Sequence, residues 1–551
     1  MKCRRCLSLS EGEARPRGPW GILPPMNRRG PSGRERQGKL SQTRYRQQLA
    51  DCATLLPAVF VVLVPEAGLE PARLLRTQDF ESSASTISPL GQVDGLQRSN
   101  SFAKQQNIFL IFVSMKAKKI IRIAAAVLGA AIIGGCIYLD TLMPIITGYA
   151  AKNLASAVFV SGRNQADVEA LDLNFSFIKF TSNKVDTAAR TVTSRFLWRK
   201  STAIYRDGYG VTLLRGAKTL PDDFPLERET SYPETLQKGD SALCASLEPI
   251  AKAFVDDKAY NGTPFALVVL HKGGIVAERY GKGISAGTRL LSWSMGKSFT
   301  NALIGIMQGD GMLDINAPLP IPEWQNDGRK AITLRDLMQM QSGLQWNENY
   351  GNRSDVNVML HCEKDMGLFA QSKPLEYEPG THWYYSSGST NIVMRYLRGL
   401  FPCDEEFLAY IRERLFAPLG INGACFEPDM SGTPVGSSYL YVTARDYARF
   451  GQMFLDDGVV GGERILPEGW VDFTRTPASD SKGGYGAFFW LNKGGACPDV
   501  PSDMYSCVGH DGQQIYIIPS KELVAVILGY SPKPDRVIDF NALLRDIIEK
   551  L

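Results

Sequence analysis

Ser294-Met295-Gly296-Lys297 opens the segment SMGKSFTNALIGIMQGDGMLD (residues 294–314), and the reading of that segment decides the fold. The apolar residues Met295, Phe299, Leu303 and Ile306 recur at helical spacing, and Gly309 and Gly311 end the run. A hydroxyl and an ammonium three residues apart share one helix face, so Ser294 and Lys297 can meet. A lysine that has lost its proton can serve such a serine as base; one that keeps it favours a second base in anionic form. A helix N-terminus at Ser294 adds roughly 0.3–1 kcal/mol in favour of developing negative charge. The bare pattern is weak, because Ser-x-x-Lys occurs four times, at Ser101, Ser176, Ser294 and Ser479.

Context singles out Ser294. Before it, FALVVLHKGGIVAERYG (265–281) reads as two strands joined by the Gly-Gly turn after Lys272. After it, ITLRDLMQMQSGL (332–344) is a short helix begun by Thr333 and ended by Gly343, and residues 365–470 read as mostly helical. QIYIIP and ELVAVILGY (514–530) form an apolar hairpin turned at Ser520-Lys521, and DRVIDFNALLRDIIEKL (535–551) is an amphipathic closing helix. Strands at both ends with helices between them predict an α+β fold, its antiparallel sheet completed by distant parts of the chain.

Two further elements carry chemistry: PGTHWYYSSGSTNIV (379–393), and Gly509-His510-Asp511-Gly512-Gln513 directly before a strand. With Ser294, Tyr385 and His510 in this order, the chain resembles the class C β-lactamase and penicillin-binding family over about residues 255–550, its 6-aminohexanoate-dimer hydrolase- and esterase-like members included. The resemblance implies a β-lactamase/DD-peptidase-like fold, an antiparallel sheet flanked by helices plus a mainly helical subdomain. It implies Ser294 as the acylated nucleophile, and Tyr385 as the tyrosine of a Tyr-x-Asn or Tyr-x-Ser motif counted from Pro379. Tyr384-Tyr385-Ser386 also fits that loose pattern. A phenol titrates near ~10, and a neighbouring Lys297 would favour its anion as the acceptor of the Ser294 proton. Ser387 stands where many members have Asn, and His510 where many have Lys; a neutral imidazole holds a substrate carboxylate less firmly. Gly512 lets substrate lie along the strand, and the backbone N–H groups of Ser294 and Gln513 would form the oxyanion hole.

The expected activity is hydrolysis of an ester, amide or lactam carbonyl through a Ser294 acyl-enzyme, with Lys297 and Tyr385 as base system and no cofactor. The expected substrate is a small molecule or peptide. The alternative is a catalytically inactive, membrane-tethered binding or sensor protein on the same fold. An α/β-hydrolase is excluded: Ser292-Trp293-Ser294-Met295-Gly296 lacks the first Gly of the Gly-x-Ser-x-Gly elbow.

The 551 residues exceed one ordinary domain, and 44% hydrophobic with 21% charged residues is a globular balance. Residues 1–114 hold 16 Lys and Arg against 9 Asp and Glu, leaving 45 against 48 beyond them, so no basic nucleic-acid footprint falls on the folded part. Four scattered histidines (His271, His361, His382, His510) without HExxH or paired CxxC spacing argue against a metal. Residues 1–114 are rich in Arg, Pro, Gly and Ser without sustained periodicity, and the run Ala53–Val64 is too short to span a bilayer. They are expected to be a non-native or disordered leader, with the true start at Met115.

Met115 opens MKAKKIIRIAAAVLGAAIIGGCIYL, a basic start followed by about twenty mostly apolar residues. Residues 115–140 are therefore expected to be a signal anchor, with Lys116, Lys118 and Lys119 in the cytoplasm and the enzyme on the periplasmic side. A secreted form, or a lipoprotein through Cys136 in IGGC, is the alternative. Residues 141–250 read as a β-rich accessory region of unassigned role, and residues 251–551 as the hydrolase domain. Six cysteines beyond Cys136 permit disulfides, Cys497–Cys507 being the first candidate pair. The oligomeric state has no signature in the sequence.

Overall fold

A computed structural model describes residues 98–216, 220, 236–531 and 537–551. The expectations for residues 1–97, the run Ala53–Val64 included, lie outside the described residues. From Ala124 to the C-terminus the chain forms one compact unit.

The principal sheet has seven strands: β5 (Gln237–Lys238), β6 (Thr263–His271), β7 (Gly274–Tyr280), β13 (Trp490–Leu491), β14 (Tyr505–Gly509), β15 (Gln513–Ile518) and β16 (Leu523–Tyr530). Their order is β13-β14-β15-β16-β6-β7-β5, antiparallel except for the short β5–β7 pair. The C-terminal hairpin β15–β16 joins the first hairpin β6–β7 through β16 and β6, with Leu523 opposite His271 and Tyr530 opposite Thr263. The expected closure of the sheet by distant segments is thus observed.

Continuous apolar runs in these strands follow from burial on both faces. In β6, Ala266, Val268 and Leu270 enter one core, while Leu267 and Val269 enter the other. In β16 the same alternation divides Val524, Val526 and Leu528 from Leu523, Ala525 and Ile527. The first core is closed by the helices Gly296–Gly309 and Ala444–Leu455, and by the helical segments of residues 334–416. The second is closed by the helices Ser241–Val255 and Phe540–Ile548. Because Ser241–Val255 covers this sheet, the expected boundary at residue 250 cuts through a helix integral to the hydrolase body.

A three-stranded sheet, β8 (Leu290–Leu291), β9 (Cys425–Phe426) and β10 (Leu440–Val442), is ordered β8-β10-β9 and leads the chain into Ser294. A small hairpin, β11 (Val459–Val460) and β12 (Glu463–Arg464), completes the body.

The accessory region holds a four-stranded antiparallel meander of β1 (Ser182–Asp186), β2 (Thr191–Phe196), β3 (Arg199–Arg206) and β4 (Gly210–Leu213). Its core is supplied by the end of the helix Arg98–Phe159, through Met143, Ala150, Ala151 and Leu154, with Val192, Ala203 and Val211 from the strands and Tyr441 from β10. The helix in which the expected anchor would end at residue 140 therefore continues into the folded body. Upstream, Val127, Leu128, Ile132, Ile133, Ile137 and Tyr138 are exposed. Among the described residues one helical stretch, Arg122–Phe159, is long and apolar enough to cross a membrane, and its most apolar window is unburied.

The Cys497–Cys507 disulfide is not formed. Cys497 belongs to one core of the sheet and Cys507 to the other, and both are free thiols.

Candidate active site

Ser294 sits in a 3₁₀ turn, Trp293–Met295, that runs directly into the helix Gly296–Gly309. Trp293 is held at φ 44°, a left-handed conformation that costs a residue with a Cβ. Ser292 fixes the turn from below: its N–H donates to Leu440 O (2.8 Å), and its hydroxyl donates to Trp293 O (2.8 Å) while receiving Leu440 N–H (3.2 Å). From the accessory helix, Tyr149 stacks on Trp293 at 6.2 Å between centroids. The strained turn is thus held from two sides.

One helical turn on, the Lys297 ammonium is 1% exposed and has three partners: Ser294 Oγ (2.9 Å), Ser387 Oγ (3.0 Å) and Ser437 O (3.0 Å). Burial pulls its pKa down to about 8, against an upward pull from the Glu348 carboxylate. No Ser–Lys bond joins the Ser176 or Ser479 pairs, whose side chains are described; the Ser101 side chain lies outside the described ones.

The Tyr385 phenol lies close enough to Ser294 for the hydroxyl to lower its pKa slightly, and its ring centroid lies 4.9 Å from Lys297 Nζ. Tyr384, the other tyrosine that fits the loose pattern, is 46% exposed. Burial, and secondarily Glu348, pushes the Tyr385 phenol well above its ordinary range. Both influences oppose the phenolate expected beside Lys297.

Ser387 begins the helix Ser387–Gly399 and is 0% exposed. Grouped from sequence with the substrate-facing residues, it instead bridges Lys297 to Glu348, donating its hydroxyl proton to Glu348 Oε1 at 2.5 Å. Glu348 escaped the sequence reading. It also receives Ser387 N–H (2.9 Å), Trp346 Nε1–H (2.5 Å) and Tyr350 O–H (2.8 Å). The alternation Trp346-x-Glu348-x-Tyr350, three functional side chains on one side of an extended segment, is the signal that could have found it.

The third element closes the site. The end of β14 abuts the nucleophile turn: a Cβ added at Gly509 would fall 2.3 Å from Ser292 O. Gly509→Ala should therefore push the turn out of position and lower kcat with little change in KM, as steady-state ester kinetics would show. His510 is 45% exposed, stacks on Tyr350 at 5.2 Å, meets the edge of Trp293 at 5.7 Å, and places Nε2 3.2 Å from Asp511 Oδ1. Gly512 takes φ 96°, open to glycine alone without strain, and delivers Gln513 to the start of β15, where the Gln513 side chain bonds Gly529 O. Among the described residues no cluster of His, Cys, Asp and Glu could hold a metal.

The protein-family model described as Beta-lactamase matches residues 250–547. The 6-aminohexanoate-dimer hydrolase of Paenarthrobacter ureafaciens is 25% identical over 298 residues, covering 49% of this chain and 73% of that protein. A D-aminopeptidase of Brucella canis is 27% identical over 194 residues, covering 33% of this chain and 36% of that protein. A solved penicillin-binding protein homologue from Caulobacter crescentus aligns with a TM-score of 0.42 at 13% identity, covering 57% of this chain and 98% of that one. The family match takes in the whole of the seven-stranded sheet from β6 onward, together with every side chain gathered around Ser294, so this chain belongs to the beta-lactamase family and is a serine hydrolase.

Proposed function

We propose that the enzyme opens a short ester or amide by acyl transfer to Ser294, with neutral Lys297 as the group that takes the Ser294 proton. The observation that carries this is the donor and acceptor pattern around Nζ. Ser437 offers a carbonyl, which can only accept, and the Ser387 proton is already given to Glu348. Of the three partners of Lys297, Ser294 alone has a proton to give, so the lone pair of the neutral amine faces the nucleophile.

Ser294 Oγ attacks the carbonyl carbon as its proton passes to Nζ, and the tetrahedral oxyanion is received by the N–H groups of Ser294 and Gln513. As the C–N or C–O bond breaks, the leaving group takes the proton from the Lys297 ammonium, which returns Lys297 to its neutral form. Water, giving a proton to Lys297, then releases the acid and restores Ser294. The aromatic rim of Trp293, Tyr350 and His510 suits an apolar or peptide-like substrate and gives a β-lactam carboxylate no fixed cation. A helix anchored in the membrane by the apolar stretch ending at Tyr138 would hold this site outside the cytoplasm. The convergence of Ser294, Ser387 and the Ser437 carbonyl on the Lys297 amine favours a working nucleophile over the binding-only reading.

The test is p-nitrophenyl ester hydrolysis by the full chain as a function of pH. A base works deprotonated, so kcat/KM should rise with pH, levelling off above about 8, the value to which burial brings Lys297. A flat profile between pH 6 and 10 would remove Lys297 as base. Glu348→Gln removes the charge that raises Lys297, so the midpoint should move to lower pH. A merely structural loss would lower the plateau and leave the midpoint in place.

A further inference from the structure

Four large apolar side chains stand exposed at one end of the accessory region: Phe177, Phe180, Leu197 and Trp198, each 51–61% exposed. They come from two turns, the one around Ile178 and the tip of the β2–β3 hairpin. The turns meet, because the Phe177 ring lies 6.2 Å from Phe196, the residue before Leu197. Hairpin tips facing water carry Gly, Asn or Asp, whereas here Leu197 takes φ 49° with a large apolar side chain outward.

The same tip is tied to the long helix. Trp198 Nε1 donates to Asp140 Oδ1 (2.7 Å), and Arg199 donates through Nε to Oδ1 (2.7 Å) and through Nη2 to Oδ2 (2.6 Å). Asp140 lies two residues beyond Tyr138, the last residue of the exposed apolar block, about 3 Å of helix rise. The hairpin tip is therefore level with the end of that block. Lys179, Arg195, Arg199 and Lys200 are exposed around it, with Lys179 Nζ 5.1 Å from the Phe180 ring centroid. Tryptophan and phenylalanine beside basic side chains, at the depth where an apolar helix ends, is the composition of a membrane–water boundary.

We propose that Phe177, Phe180, Leu197 and Trp198 form a lipid-facing edge that enters the headgroup–acyl boundary of a bilayer containing anionic lipid, beside the helix that crosses it. The edge rests on the reading of residues 120–138 as a membrane span. It gives the hydrolase body a second attachment, and the Asp140–Arg199 pair fixes the angle between the two. The body is then held at a set orientation to the surface.

The full chain, reconstituted in phosphatidylcholine–phosphatidylglycerol vesicles whose acyl chains carry bromine at shallow or deep positions, reports this directly. Subtracting the emission of Trp198→Phe from that of the wild type isolates Trp198. Side chains inserted about 5–10 Å should be quenched at least about twofold more by shallow than by deep bromines. Unchanged ester turnover by Trp198→Phe confirms that the variant folds. Alkaline carbonate extraction of the same vesicles tests the span separately. A chain that resists extraction while Trp198 stays unquenched keeps its span and loses the edge. A chain that is extracted while Trp198 is quenched keeps the edge and loses the span. Cross-linking of two copies through Trp198→Cys, with no quenching, would make the patch a chain–chain surface and overturn the proposal.

Discussion

Ser294→Ala should reduce ester turnover by about 10⁶-fold, the loss typical of removing a nucleophile whose partners act as a unit. The reason is geometric. Lys297, Tyr385 and the turn are arranged around one oxygen, and with that oxygen gone the lysine has nothing to deprotonate. The variant should fold, because Ser294 contributes a half-buried hydroxyl to no structural network beyond the site itself. Intact-mass measurement after treatment with a p-nitrophenyl phosphonate should show one adduct on the wild type and none on the variant. Equal turnover by the two proteins would place the chemistry elsewhere and overturn the mechanism.

The largest effect on stability is expected far from the chemistry, at Lys152. Its ammonium is paired with Glu427, the two being 2% and 0% exposed. The carboxylate also receives Ser156 O–H (2.9 Å) and Val211 N–H (2.9 Å). Burial raises the Glu427 pKa and lowers that of Lys152, and each partner's charge opposes the other's shift. Lys152→Met would leave a buried carboxylate without its cation, a loss of about 3–5 kcal/mol. Lys152→Met combined with Glu427→Leu should recover much of it, because no charge is then stranded. Urea unfolding of the three variants measures both effects. A single variant within error of wild type would mean that the pair is not closed in solution.

That pair also shows where the sequence could not be read. Ser294, Lys297 and the Pro379–Tyr385 spacing are local patterns, and local patterns survive in a one-dimensional reading. The alternating faces of β6 and β16 are legible for the same reason, since a period of two is visible within a single strand. Glu427 is not legible, because its partner Lys152 lies 275 residues away. Glu348 is hinted at only by the aromatic residues two positions to either side, since Ser387, which ties it to Lys297, lies 39 residues on. Ser387 was found but misplaced, because its motif position names the residue and not the direction of its hydroxyl. The charge state of Tyr385 is not legible either, because proximity to Lys297 is implied by sequence whereas desolvation is a property of the packed site. The Cys497–Cys507 pairing failed because Cys507, in β14, enters one core while the loop carrying Cys497 packs into the other.

The burial of residues 143–160 has a consequence for the order in which the protein is made. These are the first residues of the folded body to leave the ribosome, yet they pack against Glu427 and Tyr441, which are synthesised nearly three hundred residues later. Until then the Lys152 cation lacks its carboxylate, although Val192, Ala203 and Val211 can already cover Met143, Ala151 and Leu154. Contacts so distant in sequence are slow to form. The helix end and the strand it will support thus span most of the translation time, and assembly of the Ser294 turn is among the last events in the life of the nascent chain.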